Sequence, residues 1–306
     1  MKSQLNFRVA ALLTLAPLLW AGNAIVGRLA VGAVPPMALN FARWTIALAL
    51  LWPLGQRAFQ DKRAIAQRWR YLAVLSLFGM GCYSAFQYLA LHTSTPLNVT
   101  LIAASMPIGM ISVGACFYGA QPRWQDLLGA TLSLVGVALV ISRGDLGNLT
   151  KLHFVPGDVL MIAAVICWSF YSWLLVKPPQ HMRGEQRPEW NWAEFLLLQC
   201  VFGTVWGAGF AGAEAWVSDA RWHWTPWVPL ILLYVGIGPS LIAYRCWGIG
   251  VVAVGPAIAA FFSNLTPVFA ALMSAALLGE WPRWFHLAAF ALIVLGIWVS
   301  AQRTNR

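Results

Sequence analysis

Charge is what this sequence has least of. Asp, Glu, Lys and Arg make up 10% of 306 residues, against 60% hydrophobic, and the acidic residues number ten. A soluble core cannot hide that much apolar surface behind so few charges, so a soluble globular domain is excluded. Cysteine is scarce too. Cys82, Cys116, Cys167, Cys200 and Cys246 are odd in number and each lies in an apolar run, which argues against a disulfide framework. Scattered singly, they offer no metal site either, and no motif for a cofactor is present.

What is abundant is long apolar runs. Stretches of roughly 18 to 25 residues, the length a helix needs to cross about 30 Å of hydrocarbon, recur along the chain. Ten spans are expected, near 9–31, 36–56, 70–91, 96–119, 125–142, 157–177, 191–213, 226–249, 254–278 and 284–301. The first follows Lys2 and Arg8 like a signal peptide, but it has a counterpart in the second half and is read as a retained span.

The formal charge of +10 does not point to nucleic acid, because the basic residues sit in short connections rather than on one solvated face. They report orientation. With the N-terminus inside, thirteen Lys and Arg fall on the inner side and four, Arg143, Lys151, Arg221 and Arg283, on the outer. Both termini are therefore expected in the cytoplasm of a bacterial-type inner membrane.

The acids then gain meaning from where they are missing. Asp61, Asp126, Asp145, Asp158, Glu185, Glu189, Glu194, Glu214, Asp219 and Glu280 all avoid the middle of a span, as do the five histidines. A proton-driven pump usually carries an intramembrane Asp, Glu or His, and none is visible. A cationic substrate would lack its counter-charge. An intramembrane hydrolase would lack the base that activates a serine. The uncharged lining left over suits a small molecule of zero net charge, such as a zwitterionic amino acid with an apolar side chain.

The stretch GAQPRW at residues 119–124 returns as GEWPRW at residues 279–284, and Pro107, Arg123 and Gly136 align with Pro267, Arg283 and Gly296 without a gap. Trp20 likewise matches Trp168. Two copies follow, residues 1–150 and 151–306, with five spans each. An odd number of spans places the second copy upside down. Each PRW motif is then the connection between the fourth and fifth helices of its copy. Glu280, whose counterpart is Ala120, is either a locally paired interfacial residue or part of an outer gate.

Ten helices, two inverted five-helix halves, a Trp midway along the first helix of each half and a GE-x-P-type connection before the last helix together resemble the drug/metabolite transporter superfamily, in its EamA branch. Within that branch the chain is similar to exporters of aromatic and other amino acids, although Ala120 stands where the first half usually carries glutamate. The resemblance implies an all-α integral membrane protein with a basket of helices around a central cavity. It also implies alternating access, with membrane lipid and a small-molecule substrate as partners. A flippase of lipid-linked sugars is the nearest alternative, and an intramembrane enzyme the alternative from another class. The oligomeric state stays open, a monomer being sufficient.

In inverted-repeat transporters the site lies near the midplane, where equivalent spans are broken by Gly or Pro. Gly79 and Gly81 in the third span correspond to Gly238 and Pro239 in the eighth, and Pro107 in the fourth to Pro267 in the ninth. Polar and aromatic residues near those depths are the expected lining: Trp20, Asn23, Tyr83, Gln87, Ser105, Trp168, Tyr171, Tyr244, Ser263 and Asn264, with Trp247 one turn from Tyr244. Amides unsatisfied in lipid are too costly to face outward. Arg28 and Arg245 lie near enough to span ends to snorkel. Arg43, about two turns in, is read as a gate or carboxylate contact, with Arg245 and Glu280 as further gate candidates. Gly203 and Gly207 form a small-residue face for close packing or for a dimer.

Overall fold

The computed structural model describes residues 5–30, 32–94, 96–151, 154–219, 221–278 and 283–302, and every regular element among them is helical. We label the long helices in chain order. α1 is Phe7–Leu29 and α2 is Pro36–Gly55. α3 joins Lys62–Ser76, Leu77–Cys82 and Tyr83–Thr93 without interruption. α4 is broken into Pro96–Ala103 and Met106–Tyr118, and α5 is Trp124–Ile141. α6 is Pro156–Val176 and α7 is Trp192–Val217. α8 joins Val228–Val235, Gly236–Ile242 and Ala243–Val254. α9 is broken into Pro256–Ser263 and Leu265–Leu278, and α10 is Trp284–Ala301. Among the described residues, eight helices have the length and hydropathy to cross a membrane, and Phe7–Asn23 and Met106–Tyr118 are shorter apolar stretches. Glu280 and Pro282, expected in the last connection, lie outside the described residues, as does the side chain of Arg28.

α3 begins eight residues before the expected span, at Lys62. Its first two turns are basic and amphipathic, which hydropathy alone would leave outside. Asp61 starts it by accepting the Ala64 N–H at 2.8 Å, and Arg68 is held by the carbonyls of Ala64, His181 and Gln186.

Helix starts explain where the acids went. The first N–H groups of a helix have no internal partner, and hydrocarbon supplies none. Asp126, Asp158 and Glu194 each reach back one turn to the N–H of Arg123, Val155 and Asn191, at 3.1, 2.9 and 2.8 Å. Their negative charge also suits the positive end of the helix. Glu214 does this across helices, accepting from Met37 and Ala38 at the start of α2 at 3.0 and 3.1 Å.

The glycines and prolines read as breaks act in two ways. Around Gly79 and Gly81, and around Gly238 and Pro239, the helix stays continuous but widens into π-helical turns, Leu77–Cys82 and Gly236–Ile242. Pro239 has no N–H to give, so the turn cannot close normally. Gly79 has no side chain because the Tyr171 ring occupies that space, 2.4 Å from where a Cβ would stand. In α4 and α9, by contrast, the helix stops at Ala104–Ser105 and at Asn264, and Pro107 and Pro267 lie in the first turns of the segments that follow.

Equivalent helices from the two halves pack on each other. Gly55 of α2 meets Ala193 and Leu197 at the start of α7, whereas Phe41 meets Gly207 further along, so the pair runs antiparallel. Gly203 packs on Met80 and Gly207 on Phe41. That small-residue face is therefore used inside the chain.

Candidate functional site

The sequence scatters its central aromatics over four spans, and the fold gathers them. Trp20 of α1 meets Trp168 of α6 edge to face, with ring centres 5.3 Å apart. Tyr83 of α3 lies 4.9 Å from Trp168. Tyr171 lies 5.0 Å from Trp168, and Tyr244 and Trp247 of α8 lie 5.4 and 5.5 Å from it. Trp168 thus stands at the hub. Edge-to-face and tilted pairs at such spacings each contribute about 0.5–1.5 kcal/mol beyond burial.

The π turns set this cluster. A widened turn frees carbonyls that need donors. Tyr244 donates its hydroxyl to the Gly79 carbonyl, and Trp20 Nε1 donates to the Pro239 carbonyl at 3.2 Å. Asn40 of α2 donates to the Met80 carbonyl at 3.2 Å. Each π turn is thus tied to side chains from other helices, and the aromatic groups that do this tying are also members of the cluster.

The expected residues divide into three groups. Trp20, Tyr83, Trp168, Tyr171 and Tyr244 come together as described. Of these, Trp168, Tyr171 and Tyr244 are buried, whereas Trp20 and Tyr83 retain accessible surface. Gln87 follows Tyr83 by four residues on α3, one turn along the same face. Asn23, Ser263 and Asn264 keep buried polar atoms without partners, and Asn264, 1% exposed, leaves both its oxygen and its nitrogen unpaired. A buried polar group left so costs about 1–3 kcal/mol. Ser105 turns inward on itself, donating to the Ile102 carbonyl at 2.6 Å across the break in α4.

Arg43 changes the electrostatics expected from the sequence. It is 4% exposed, its Nε donates to Ser240 Oγ at 2.9 Å, and its guanidinium lies 5.1 Å from the ring centre of Trp44. Its charge reaches the hydroxyls of both Tyr83 and Tyr244. The surroundings of the cluster are therefore not uncharged but carry a cation, because α2 turns this arginine inward where the sequence alone shows only its depth. Arg245 is engaged elsewhere, over the Trp192 ring at 4.8 Å. That contact matches snorkelling towards a helix end.

Trp44 was not among the expected residues. It is fully buried and meets Tyr244 edge to face at 4.8 Å. The signal was present: Asn40, Arg43 and Trp44 follow i, i+3, i+4 spacing on one face of α2.

A crevice of about 260 Å³ is lined by Gln121, Arg123, Asp126, Trp173, Gly255 and Pro256, where the α4–α5 and α8–α9 connections meet. Its wall residue Trp173 is five positions along α6 from Trp168, about 7.5 Å of helix rise.

Comparison with known proteins agrees with this architecture. The profile of the EamA-like transporter family matches residues 8–142 and 155–302. An uncharacterized transporter of Archaeoglobus fulgidus is 27% identical over 99% of this chain and 100% of its own length. The aromatic amino acid exporter YddG of Ancylobacter novellus is 25% identical over 94% of this chain and 95% of its own. A probable terminal-alkyne amino-acid exporter of Streptantibioticus cattleyicolor is 24% identical over 95% of this chain and 93% of its own. A crystal structure superposes with a TM-score of 0.71 at 24% identity, covering 95% of each chain. The chain belongs to the EamA-like transporter family and is a multi-pass membrane transporter.

Proposed function

We propose that this EamA-like transporter moves small amino acids with aromatic or apolar side chains out of the cell by alternating access, with the cluster around Trp168 as its substrate site. The observation that carries the reading is the meeting of Trp20 and Trp168, equivalent residues of the two halves, at 5.3 Å. Aromatic faces take an apolar side chain and attract a cation. The unpaired oxygen of Asn23 and the unpaired amide of Asn264 supply polar contacts that no described residue uses. Two relatives named as amino-acid exporters support the same class.

The crevice beside Arg123 and Asp126 is the inner vestibule in this reading, since the connections that line it face the cytoplasm under the positive-inside rule. Residues 1–150 and 151–306 are the two oppositely oriented repeats, both termini are cytoplasmic, and the membrane is the inner membrane of a bacterial-type cell. Transport runs down the substrate gradient, because the acids near the membrane are taken up by helix starts.

The test is counterflow in proteoliposomes with a panel of labelled amino acids, with and without a pH gradient. Exchange of phenylalanine, tryptophan or leucine without any imposed gradient is expected. Strict dependence on a proton gradient would overturn the facilitated mechanism, and no exchange of any amino acid would overturn the substrate class.

A further inference from the structure

Among the described residues, Arg43 is a buried cation that forms no ion pair. The ion pair found among them is Arg123 with Asp126, far along the sequence from Arg43, and the side-chain hydrogen bond that Arg43 makes is from its Nε to the neutral Ser240 hydroxyl. What faces it is neutral: Trp44 on its own helix, Ser240 and Tyr244 on α8, and Tyr83 on α3. The buried acids Asp126, Asp158 and Glu194 are committed to helix starts. An arginine held this way within a membrane protein is expensive and marks a substrate pathway when it is retained. Its planar fork fits a carboxylate with two parallel hydrogen bonds.

We propose that Arg43 anchors the carboxylate of the transported molecule and that no protein charge reads the amino group, so that aromatic carboxylates lacking an amino group, 2-oxo acids and arylalkanoates, are substrates as well. The proposal rests on the cluster around Trp168 being the transport site. The site carries one positive charge. A zwitterion neutralises Arg43 but brings a second cation that meets only amides and aromatic faces. An anion of the same shape neutralises Arg43 and brings nothing further to satisfy. Movement of that anion transfers one net charge, so an inside-negative potential drives it outward, shifting the equilibrium concentration ratio roughly fifty-fold per 100 mV.

The experiment uses the full chain in proteoliposomes exchanging labelled phenylalanine, with protein-free liposomes as the leak control. Phenylpyruvate and 3-phenylpropionate should compete within about threefold of unlabelled phenylalanine, and phenethylamine at least tenfold more weakly. A valinomycin potassium potential, inside negative, should speed efflux of labelled 3-phenylpropionate and leave that of phenylalanine unchanged. Arg43→Gln should raise the half-saturation for phenylalanine more than tenfold, and Arg43→Lys should recover part of it. Should a glutamine variant fail to fold, the competition order in the wild-type protein still decides. If phenethylamine competes as well as 3-phenylpropionate while phenylalanine exchanges, the carboxylate anchor is wrong and the amino-acid reading stands. If only the anions move, the anchor stands and the amino-acid class falls. If nothing aromatic moves, both fall.

Discussion

Gly129 of α5 and Gly296 of α10 approach so closely that a Cβ on either would stand 2.7 Å from the other's carbonyl oxygen. Gly136 meets the carbonyl of Ala289 at 2.9 Å in the same way. In the register that aligns Pro107 with Pro267, Gly129 corresponds to Ala289 and Gly136 to Gly296. One contact is thus the image of the other under exchange of the halves. The residue number rises along α5 as it falls along α10, so the two helices are antiparallel, as an inverted second copy requires.

Overpacking that seam should separate the helices. Gly129→Leu or Gly296→Leu is expected to destabilise by about 1–3 kcal/mol, read as an earlier thermal transition in detergent by fluorescence-detected size exclusion. Gly209→Leu, at a position with open space around its Cα, should leave the transition in place. Equal shifts for all three variants would mean the close approach is not present in the protein.

Asn264 separates stability from transport. Because both its polar atoms are buried and unpaired among the described residues, Asn264→Leu should hold or raise thermal stability. If the amide serves the substrate, the same change should weaken affinity by roughly tenfold to a hundredfold, equivalent to about 1–3 kcal/mol. A variant that is less stable but transports with unchanged affinity would assign Asn264 to structure.

Trp168, at the hub of the aromatic cluster, should set side-chain preference. Trp168→Ala is expected to lower exchange of tryptophan and phenylalanine at least tenfold more than that of alanine. Trp298, 59% exposed on α10, is the control, and its replacement by alanine should leave the ranking of substrates unchanged. Uniform loss across all substrates in both variants would remove α6 from the site.

Orientation is open to direct labelling. In a background without the native cysteines, Arg283→Cys should react with an impermeant maleimide in intact cells, and Arg123→Cys only after permeabilisation. Arg123 is bound to Asp126 and to the carbonyl of Ser300, whereas Arg283 lies exposed at the start of α10. The reverse labelling pattern would turn the whole topology over.

Much of this protein was settled locally, by the sequence. Each span declares itself through its own run of apolar residues, and the starts of α2, α5, α6, α7, α8 and α9 through a proline or an acid in the first turn, because hydrocarbon leaves backbone groups no other partner. Gly79, Gly81, Gly238 and Pro239 mark irregular turns for the same local reason, and the spacing of Trp20, Tyr83, Trp168 and Tyr244 puts them at similar depth. What sequence could not settle is which groups meet. Whether a proline widens a helix, as at Pro239, or follows a full break, as at Pro107, depends on donors arriving from elsewhere. The Gly79 carbonyl is satisfied by Tyr244, 165 residues away. Arg43 could have snorkelled to a helix end as Arg245 does. Only the packing of α2 against α8 turns it towards Ser240 and the cluster, leaving a positive charge beside aromatic rings that composition had suggested were alone.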